Sequence, residues 1–403
     1  MKILHVVPVF YPCLAAGGVV NAVYQLGKKQ VAQGNDVSVF TTDSCKEPMN
    51  LKNNYNVDVD GVKTYYFKNL SNFLKNKLTI DTPYNLPRKL RKEIKKYDIV
   101  HIHEHRHSLA IASSYYASKN NIPYILQAHG SVLPFFQKEK MKEAFDKLWG
   151  FKILHEASKV FALTDIEKDQ YIKMGVEEKN IEIVPLGINL EEYLDLPKKG
   201  NFRAKYNVKD EEKLLLFIGR IHKIKGLDLL IESFALLSKD IKNLKLAIVG
   251  PDDGFLDELL EIIAKSDINS EKVIIAGSLY GEDKKEAIID CDIFIMPSQY
   301  ESFTTSGLEA MACEKPIILT KNNHIHTWVS ENVGLSCEYE KEDISNNVEK
   351  MLKNPELMKS YGKNGLKEIK EKYNWDSVEK EVSSIYKEII ENNKKYGKIA
   401  KTN

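Results

Sequence analysis

The sequence predicts an α/β protein made of two doubly wound, mostly parallel sheets. Short apolar runs alternate with longer amphipathic segments over most of the 403 residues, which is the rhythm of strand–helix–strand units. The runs are nearly continuous in Val, Ile, Leu and Phe, as is typical of parallel strands that helices cover on both faces. The rhythm is interrupted once, near the middle of the chain, and this interruption divides the protein into two halves.

The apolar runs give the predicted strands in order. In the first half they cover residues 2–9, 36–42, 98–103, 124–128, 159–163 and 181–185. In the second half they cover residues 214–219, 245–249, 272–276, 293–296 and 316–320. The clearest helical patterns between them cover residues 19–33, 227–238 and 255–265.

The interruption lies in residues 188–212, which are rich in charge, Pro and Gly and form the predicted linker. The chain then contains an N-terminal Rossmann-like domain over about residues 1–190 and a C-terminal one over about 200–375. Ligands of open parallel sheets bind beyond the carboxyl ends of the strands. Two such sheets that face each other create a cleft, so we expect the chemistry in the loops that follow the strands.

Composition excludes some classes of function. The 58 Lys and Arg residues nearly balance the 57 Asp and Glu residues, and the net charge of +1 argues against a nucleic-acid partner. The apolar run at the N-terminus is too short for a signal peptide, and no run is long enough to span a bilayer. The five cysteines are scattered and form no Cys-x-x-Cys pair, so we expect reduced, mostly buried thiols and a cytoplasmic protein.

The loop after the predicted strand at 293–296 contains the first candidate site. Glu301 lies in this loop, and the Thr-Thr-Ser-Gly segment after it opens a helix that carries Glu309. Free amides at a helix start favour an anion, and the two carboxylates can accept hydrogen bonds from sugar hydroxyls. The alternative is structural, with Glu301 a solvated loop acid and Glu309 an acid that the helix dipole favours.

The loop after the predicted strand at 214–219 contains the second candidate site. Arg220 offers a planar fork of donors for phosphate, and Lys225 adds a point charge five residues further on. Gly219 and Gly226 allow tight turns around these cations. The alternative is a pair of ordinary surface cations in a strand–helix loop.

Two weaker motifs belong to the first half. Gly17 and Gly18 precede a predicted helix, where a phosphate or sugar could approach the backbone amides, and His129 with Gly130 ends the strand at 124–128. As a lone histidine, His129 could equally have a packing role. The chain lacks a Gly-x-Gly-x-x-Gly fingerprint, which counts against a dinucleotide-dependent dehydrogenase.

Together these motifs resemble the retaining glycosyltransferases of family 4 (glycosyl transferases group 1), which have the GT-B fold. The resemblance includes the Glu-x7-Glu segment from Glu301 to Glu309, the Gly-Arg…Lys-Gly loop, the Gly-Gly loop and His-Gly. It extends to Pro-Leu-Gly-Ile-Asn at 185–189, similar to the hinge element of the family, and to a C-terminal helix at about 376–393 that would pack back on the N-terminal domain.

The resemblance implies a metal-independent, retaining hexosyltransferase that needs no cofactor besides its nucleotide-diphosphate sugar. The N-terminal domain would bind the acceptor and the C-terminal domain the donor. The implied catalytic residues are Arg220 and Lys225, which stabilise the departing diphosphate, Glu301 on the donor sugar, and His129 near the reacting carbon.

The resemblance also implies the remaining donor contacts. Glu309 would hold the ribose hydroxyls, the backbone of 302–305 would hold phosphate and sugar, and 277–279 would lie beside the base. By residue, these implied binding positions are Gly17, Gly18, Gly277, Ser278, Leu279, Ser302, Phe303, Thr304, Thr305 and Glu309. Glu314, Leu186 and the segment 321–329 depart from the family pattern, so the donor sugar and the base (UDP, GDP or ADP) do not follow from it.

The acceptor is a glycan or a lipid-linked sugar in the reading that we favour, which places the enzyme in surface polysaccharide, glycolipid or glycoprotein glycan synthesis. The alternatives are an epimerase or phosphorylase of the same fold, and a non-catalytic subunit that binds a sugar nucleotide. The intact pattern of Glu301, Glu309, Arg220 and Lys225 favours the transferase.

A basic stretch that starts at Lys68 and ends at Lys96 has nine Lys or Arg residues and two acids. We expect it to bind an anionic membrane surface, with Phe135 and Phe136 as a second contact; the alternative is a solvated helix face. Four alternating histidines raise the idea of a metal cluster, but no second ligand type accompanies them, so we expect no bound metal. They are His101, His103, His105 and His107.

Overall fold

The structure is a computed structural model that describes residues 1–13, 17–45, 54–71, 73–74, 80–134, 138–330 and 332–399. Its residues form two compact units. The first contains Met1–Leu186 together with the C-terminal stretch from Trp375, and the second contains Gly187–Asn374. No helix of the described residues is long and apolar enough to cross a membrane.

The first unit is built on a sheet with the order β3-β4-β2-β1-β5-β6-β7-β8. Only the pair β3 and β4 is antiparallel among the described ladders of this sheet. Its strands are β1 Lys2–Val6, β2 Asp36–Thr42, β3 Tyr55–Val59, β4 Val62–Phe67, β5 Ile99–His103, β6 Tyr124–Gln127, β7 Lys159–Ala162 and β8 Ile181–Ile183.

Helices cover the central strands of this sheet, which are buried on both faces. They are α1 Gly18–Ala32, α2 Leu86–Glu93, α3 Ser108–Lys119, α4 Glu139–Phe145, α5 Phe151–His155 and α6 Asp165–Lys173. The last helix of the chain, Trp375–Ile399 (α15 when the helices of the second unit are counted), also belongs to the first unit and packs on α1. Lys29 of α1 pairs with Asp376 at 2.8 Å, and the buried Tyr386 hydroxyl lies 2.6 Å from His101 Nδ1.

The second unit is built on a parallel sheet with the order β11-β10-β9-β12-β13-β14. Its strands are β9 Lys213–Ile218, β10 Leu244–Val249, β11 Val273–Gly277, β12 Ile293–Met296, β13 Ile317–Thr320 and β14 Gly334–Cys337. Its helices are α7 Asn201–Lys205, α8 Leu227–Asp240, α9 Leu256–Lys265, α10 Gly281–Asp290, α11 Thr305–Ala312, α12 His326–Val329, α13 Lys341–Leu352 and α14 Pro355–Glu371.

The predicted α/β architecture with two Rossmann-like sheets is confirmed, and each predicted strand overlaps an observed one. The prediction missed the hairpin of β3 and β4, in which β3 alternates between polar and apolar residues and the turn has Asp60 and Gly61 at φ 50° and 85°. An Asp-Gly pair in this conformation is a hairpin signal. It also missed β14 and the short helix α7 within the predicted linker.

The expectation of reduced cysteines is wrong for two of them, because Cys13 and Cys45 form a disulfide. Cys13 follows β1 and Cys45 follows β2, and these two strands are parallel neighbours, so both residues reach the same edge of the sheet. Spacing along the chain does not reveal this proximity. Cys291, Cys313 and Cys337 are free and buried, as expected. Cysteine usage therefore no longer supports a cytoplasmic location.

Candidate active site

Arg220 lies at the carboxyl end of β9, in a loop that is held against the loop after β10. The amide of Ile221 donates to Pro251 O at 2.8 Å, and the amide of Asp253 donates to Ile221 O at 3.0 Å. These two bonds bring Asp253 to Arg220, and Arg220 Nη1 pairs with Asp253 Oδ2. The Arg220 side chain is still 49% exposed, so about half of it remains accessible to solvent. Sequence reasoning missed Asp253, although it also follows a strand of the same sheet.

Lys225 ends a short 3₁₀ turn, Lys223–Lys225, at whose start His222 Nδ1 accepts a hydrogen bond from the amide of Ile224 at 3.1 Å. Gly226 follows with a φ of 66°, and a Cβ built on it would lie 2.1 Å from Pro297 O. Only glycine fits this position, because it has both the left-handed backbone and the close approach. The turn therefore packs directly against the loop after β12, the strand beside β9.

Glu301 lies in that loop, and Lys225 Nζ forms an ion pair with Glu301 Oε2. The two side chains are only 13% and 14% exposed. The Glu301 backbone is fixed on both sides, since its amide donates to Asn322 O at 3.2 Å and its carbonyl accepts from the amide of His324 at 2.8 Å. The structure therefore brings together two residues, one from each candidate site, that the family resemblance assigns to the same donor.

The start of α11 is tied to the end of β9. Thr304 is the N-cap residue, and its hydroxyl accepts from the amide of Gly307 at 3.2 Å. Ser306 Oγ donates to Ile218 O at 2.9 Å. Phe303 and Thr304 are buried, with only 6% and 2% of each whole residue exposed. Ser302 and Thr305 are partly exposed.

Glu309, in α11, is also paired. Its Oε1 accepts from Lys284 Nζ of α10 at 2.7 Å, and Tyr193 makes a side-chain hydrogen bond to the same carboxylate. Burial, and next the negative charge of Glu309, raise the pKa of Tyr193, so its hydroxyl stays protonated and donates. Lys284 and Tyr193 carry no motif of their own, and the sequence analysis missed both.

Gly277, Ser278 and Leu279 lie at the carboxyl end of β11. Gly277 has a φ of 69°, and no atom lies within 4 Å of the position of a Cβ there. Its carbonyl accepts from the amide of Gly250 at 2.8 Å, which ties it to the end of β10. Ser278 is exposed and Leu279 is partly exposed, so this segment is open to a ligand of the second unit.

Gly17, Gly18 and His129 belong to the first unit. Gly17 precedes α1 with a φ of 123°, and neither glycine has an atom within 4 Å of a Cβ position. His129 has a φ of 52°, and the next amide, that of Gly130, donates to Glu167 Oε1 at 2.5 Å. Glu167 Oε2 accepts from the amide of Leu163 at 2.7 Å. Glu167, which the sequence analysis missed, therefore holds the turn that carries His129.

Burial controls the charge of these groups. It raises the pKa of Glu167 to about 7, although the two amide donors oppose the rise. It lowers the pKa of His129 to about 3, so the imidazole is neutral near pH 7.

The four alternating histidines do not form one cluster. His105 Nε2 lies 3.5 Å from Asp146, and His107 caps α3 by accepting from the amide of Ala110 at 3.1 Å. His101 and His103 instead meet His5 of β1, and one nitrogen from each lies within 4.8 Å of the others. His5 Nδ1 and His103 Nε2 are 2.9 Å apart, which is an ordinary hydrogen-bond distance.

The described part of the basic stretch has two faces. Leu86 and Leu90 of α2 and Ile94 after it are buried in the core, so packing explains the amphipathic pattern here. Leu70, Phe73, Ile80 and Tyr84 are 41% to 71% exposed. Residues 72 and 75–79, and the second predicted contact, Phe135 and Phe136, lie outside the described residues.

Two family models match the chain. The model for Glycosyltransferase Family 4 matches residues 16–192, and the model for glycosyl transferases group 1 matches residues 198–368. Together they cover most of both units, and the chain belongs to the family 4 glycosyltransferases with the GT-B fold.

Known proteins agree with this assignment. An uncharacterized glycosyltransferase of Methanocaldococcus jannaschii is 26% identical over 309 residues, 74% of this chain and 77% of that protein. The alpha-monoglucosyldiacylglycerol synthase of Acholeplasma laidlawii is 25% identical over 94% of this chain and 96% of its own. The structure of Anabaena HepE in complex with UDP and glucose aligns with a TM-score of 0.75 and 16% identity, over 96% of this chain and all of HepE.

Proposed function

We propose that this glycosyltransferase is a retaining, metal-independent hexosyltransferase that binds its nucleotide-diphosphate sugar through Arg220, Lys225 and the segment from Glu301 to Glu309. The observation that carries the proposal is the contact of Lys225 with Glu301 at the carboxyl ends of the neighbouring strands β9 and β12. This pair places a cation for phosphate next to an acceptor for sugar hydroxyls, which is the juxtaposition that a sugar diphosphate requires.

The reaction would use the cations in the following way. The anomeric carbon forms a bond to the acceptor oxygen on the face from which the diphosphate departs, the bond to the diphosphate oxygen breaks, and the acceptor proton passes to the diphosphate. Negative charge therefore grows on the leaving group. Arg220 and Lys225 stabilise that charge in the transition state, which is the most effective place for fixed positive groups.

The ion pairs of the candidate site fit this role. Lys225 and Glu301 are mostly shielded from solvent, so each holds the other in position before substrate arrives. The diphosphate then replaces a carboxylate as the partner of Arg220 and Lys225. Glu309, held by Lys284 and Tyr193, is proposed to accept hydrogen bonds from the ribose.

The remaining contacts are proposed as follows. The backbone of 302–305 binds phosphate and sugar, and 277–279 lies beside the base. In the first unit, Gly17, Gly18 and His129 remain proposed substrate contacts.

The names of the relatives indicate which substrates to test first. HepE was solved with UDP and glucose, and the Acholeplasma relative is named for a glucosylated diacylglycerol. We therefore propose a UDP-hexose donor and a glycan or lipid-linked acceptor, with UDP-glucose and diacylglycerol lipids as the first assay.

Arg220→Ala and Lys225→Ala test the diphosphate contacts. Each change is expected to lower kcat/KM about a hundredfold or more, as the loss of one transition-state donor typically does. Lys223→Ala is the matched control, because Lys223 lies in the same turn but pairs with Glu258 at 3.4 Å. Transfer that stays near normal in either test variant would refute the assignment. A thermal-shift series with UDP, GDP and ADP identifies the base, since a bound ligand raises the apparent stability.

The proposal includes contact with anionic lipid through the exposed apolar residues and the cations of the stretch from Lys68 to Lys96. Neutralising Arg88, Arg91 and Lys92 is expected to reduce sedimentation with anionic vesicles. The control removes the same charge from three exposed lysines of the second unit, which are Lys265, Lys353 and Lys372. Equal binding by both variants would argue against this surface.

A further inference from the structure

A chain of hydrogen bonds runs through the first unit and ends at His129. Gln30 Oε1 lies 2.7 Å from His5 Nε2, and His5 Nδ1 lies 2.9 Å from His103 Nε2. His103 Nδ1 lies 3.0 Å from His129 Nε2. Gln30 and His5 are fully buried and His103 is 1% exposed, so solvent does not compete for these bonds.

The three histidines are neutral near pH 7. Burial lowers the pKa of His5 to about 4 and that of His129 to about 3, and it holds the pKa of His103 well below its usual value. A neutral imidazole has one N–H donor and one bare acceptor nitrogen. In a chain of such rings, every hydrogen bond therefore runs from donor to acceptor in the same direction. The group at the end of the chain sets that direction.

Gln30 sets the direction, because its Oε1 can only accept. His5 must then carry its proton on Nε2 and leave Nδ1 bare. His103 must donate from Nε2 to that bare nitrogen, and its own Nδ1 is left to accept. His129 donates from Nε2 to His103, so His129 Nδ1 is bare.

His129 Nδ1 is the free end of this chain. The atom is buried, and no described residue forms a hydrogen bond with it. Buried polar atoms of native proteins normally have a partner, and a bare nitrogen needs a donor such as a hydroxyl group. Sugars and glycan acceptors supply such hydroxyls.

We propose that Gln30, His5 and His103 are positioning residues that fix the tautomer of His129, so that its bare Nδ1 accepts a hydrogen bond from a hydroxyl of the substrate. The part that concerns the substrate rests on the proposed function. The part that concerns the tautomer stands on the hydrogen-bond chain alone. Glu167 contributes by holding the turn in which His129 lies.

The same histidines could be considered as ligands of a metal ion. Two imidazole nitrogens on one tetrahedral zinc are about 3.4 Å apart, given a Zn–N distance of about 2.1 Å. The 2.9 Å between His5 and His103 is shorter and fits a shared proton. The hydrogen-bond chain is therefore the arrangement that the distances favour.

The tautomer can be measured in the substrate-free protein after selective ¹⁵N labelling of histidine, because protonated and bare ring nitrogens resonate far apart. A His129→Asn spectrum identifies the His129 signals by difference. The expected result is a protonated Nε2 and a bare Nδ1 on His129. A proton on Nδ1 in the wild-type protein, or stoichiometric zinc on His5 and His103, would overturn the proposal. This measurement needs no activity, so its failure is distinct from a failure of the proposed function.

Gln30→Met removes the acceptor while keeping the shape of the side chain. His129 is then expected to show both tautomers, and kcat is expected to fall about fivefold, the factor by which one hydrogen bond of ordinary net strength biases an equilibrium. KM for the donor should change little. Gln170→Met is the matched control, because Gln170 is a buried glutamine of α6 outside the chain. Unchanged His129 signals in Gln30→Met would overturn the positioning role.

Discussion

At the scale of single residues, each cation of the candidate site already has a carboxylate partner. Arg220 pairs with Asp253, Lys225 with Glu301 and Lys284 with Glu309. The pairs differ in burial, because the Arg220 side chain is 49% exposed and that of Lys225 is 13% exposed. Solvent screens the first pair more strongly, so under the proposed function a phosphate would displace Asp253 from Arg220 at little cost.

Asp253→Asn is expected to strengthen donor binding. The substitution removes the charge that competes with phosphate for Arg220, and KM for the donor should fall by up to about fivefold at low salt, the limit for an exposed ion pair. Steady-state kinetics at two salt concentrations measure this change. Asp257→Asn makes the same charge change on the exposed side of α9 and serves as the control. A rise in KM would show that Asp253 orients Arg220 rather than competing for it.

At the scale of elements, the loops that follow β9 and β12 approach each other closely at Gly226. A Cβ at Gly226 would lie 2.1 Å from Pro297 O, and the backbone there has a φ of 66°. Gly254 also has a positive φ, 88°, but nothing lies within 4 Å of its Cβ position. The two glycines therefore separate the effect of backbone conformation from the effect of contact.

Gly226→Ala is expected to lower the free energy of unfolding of the second unit by more than Gly254→Ala does. Both carry the cost of a left-handed alanine, about 1 kcal/mol, and only Gly226→Ala adds a clash with backbone. It should also impair transfer, because it moves Lys225 away from Glu301. Urea denaturation and kinetics measure the two effects. Equal losses of unfolding free energy in the two variants would contradict the prediction, because the clash at Gly226 would then cost no stability.

The disulfide is a second feature of this scale, because it links the loops after β1 and β2. Cys13 and Cys45 are separated by 32 residues, and closing a loop of that size stabilises a protein by about 3–4 kcal/mol in the chain-entropy description. Cys13→Ser/Cys45→Ser is expected to lose about this much, and the reduced wild-type protein should match it. Thiol titration in denaturant should find Cys291, Cys313 and Cys337 before reduction and five thiols after it. Five thiols without reductant would contradict the bond.

At the scale of the whole molecule, the buried titratable groups make stability depend on pH. Burial lowers the pKa of a set of histidines in the first unit. Near pH 6.5 and below, these histidines bind protons in the unfolded chain but stay neutral in the folded chain. These are His5, His101, His103, His105 and His129. Glu104 and Glu167 act in the opposite direction between pH 7 and 4.5, because their folded pKa is raised to about 7.

The first unit is therefore expected to lose stability as the pH falls from 6.5 towards 4.5. Each such histidine contributes about 1.4 kcal/mol per pH unit in this window, and the histidines outnumber the two opposing glutamates. Hydrogen exchange at pH 7 and pH 5, resolved by peptide, measures each unit separately. In the described part of the second unit, burial lowers the pKa of one histidine, His324, to about 4. The second unit should therefore lose less stability over this pH range than the first unit, in which burial lowers the pKa of several. Greater loss of protection in the second unit would contradict the prediction.

The α/β architecture and the loops in which the candidate site lies could be predicted from the sequence. Strands buried on both faces are mostly apolar along their length, which made β1, β9 and β12 recognisable in the sequence. The carboxyl ends of parallel strands share an edge, so Arg220, Lys225 and Glu301 could be expected at one edge before any contact was known. The hairpin of β3 and β4 escaped because β3 alternates polar and apolar residues and β4 contains Lys63 and Thr64, so neither strand is a continuous aliphatic run.

The contacts between distant residues of the site could not be predicted from the sequence and depend on the tertiary structure. Strand order and helix packing bring Asp253, Lys284 and Tyr193 to the site. Neither property can be predicted from the spacing of residues along the chain. His5 and His101 lie 96 residues apart and become neighbours because β1 and β5 pair in one particular register. The disulfide and the chain from Gln30 to His129 arise in the same way, since contacts between distant segments depend on register and packing over the whole sheet.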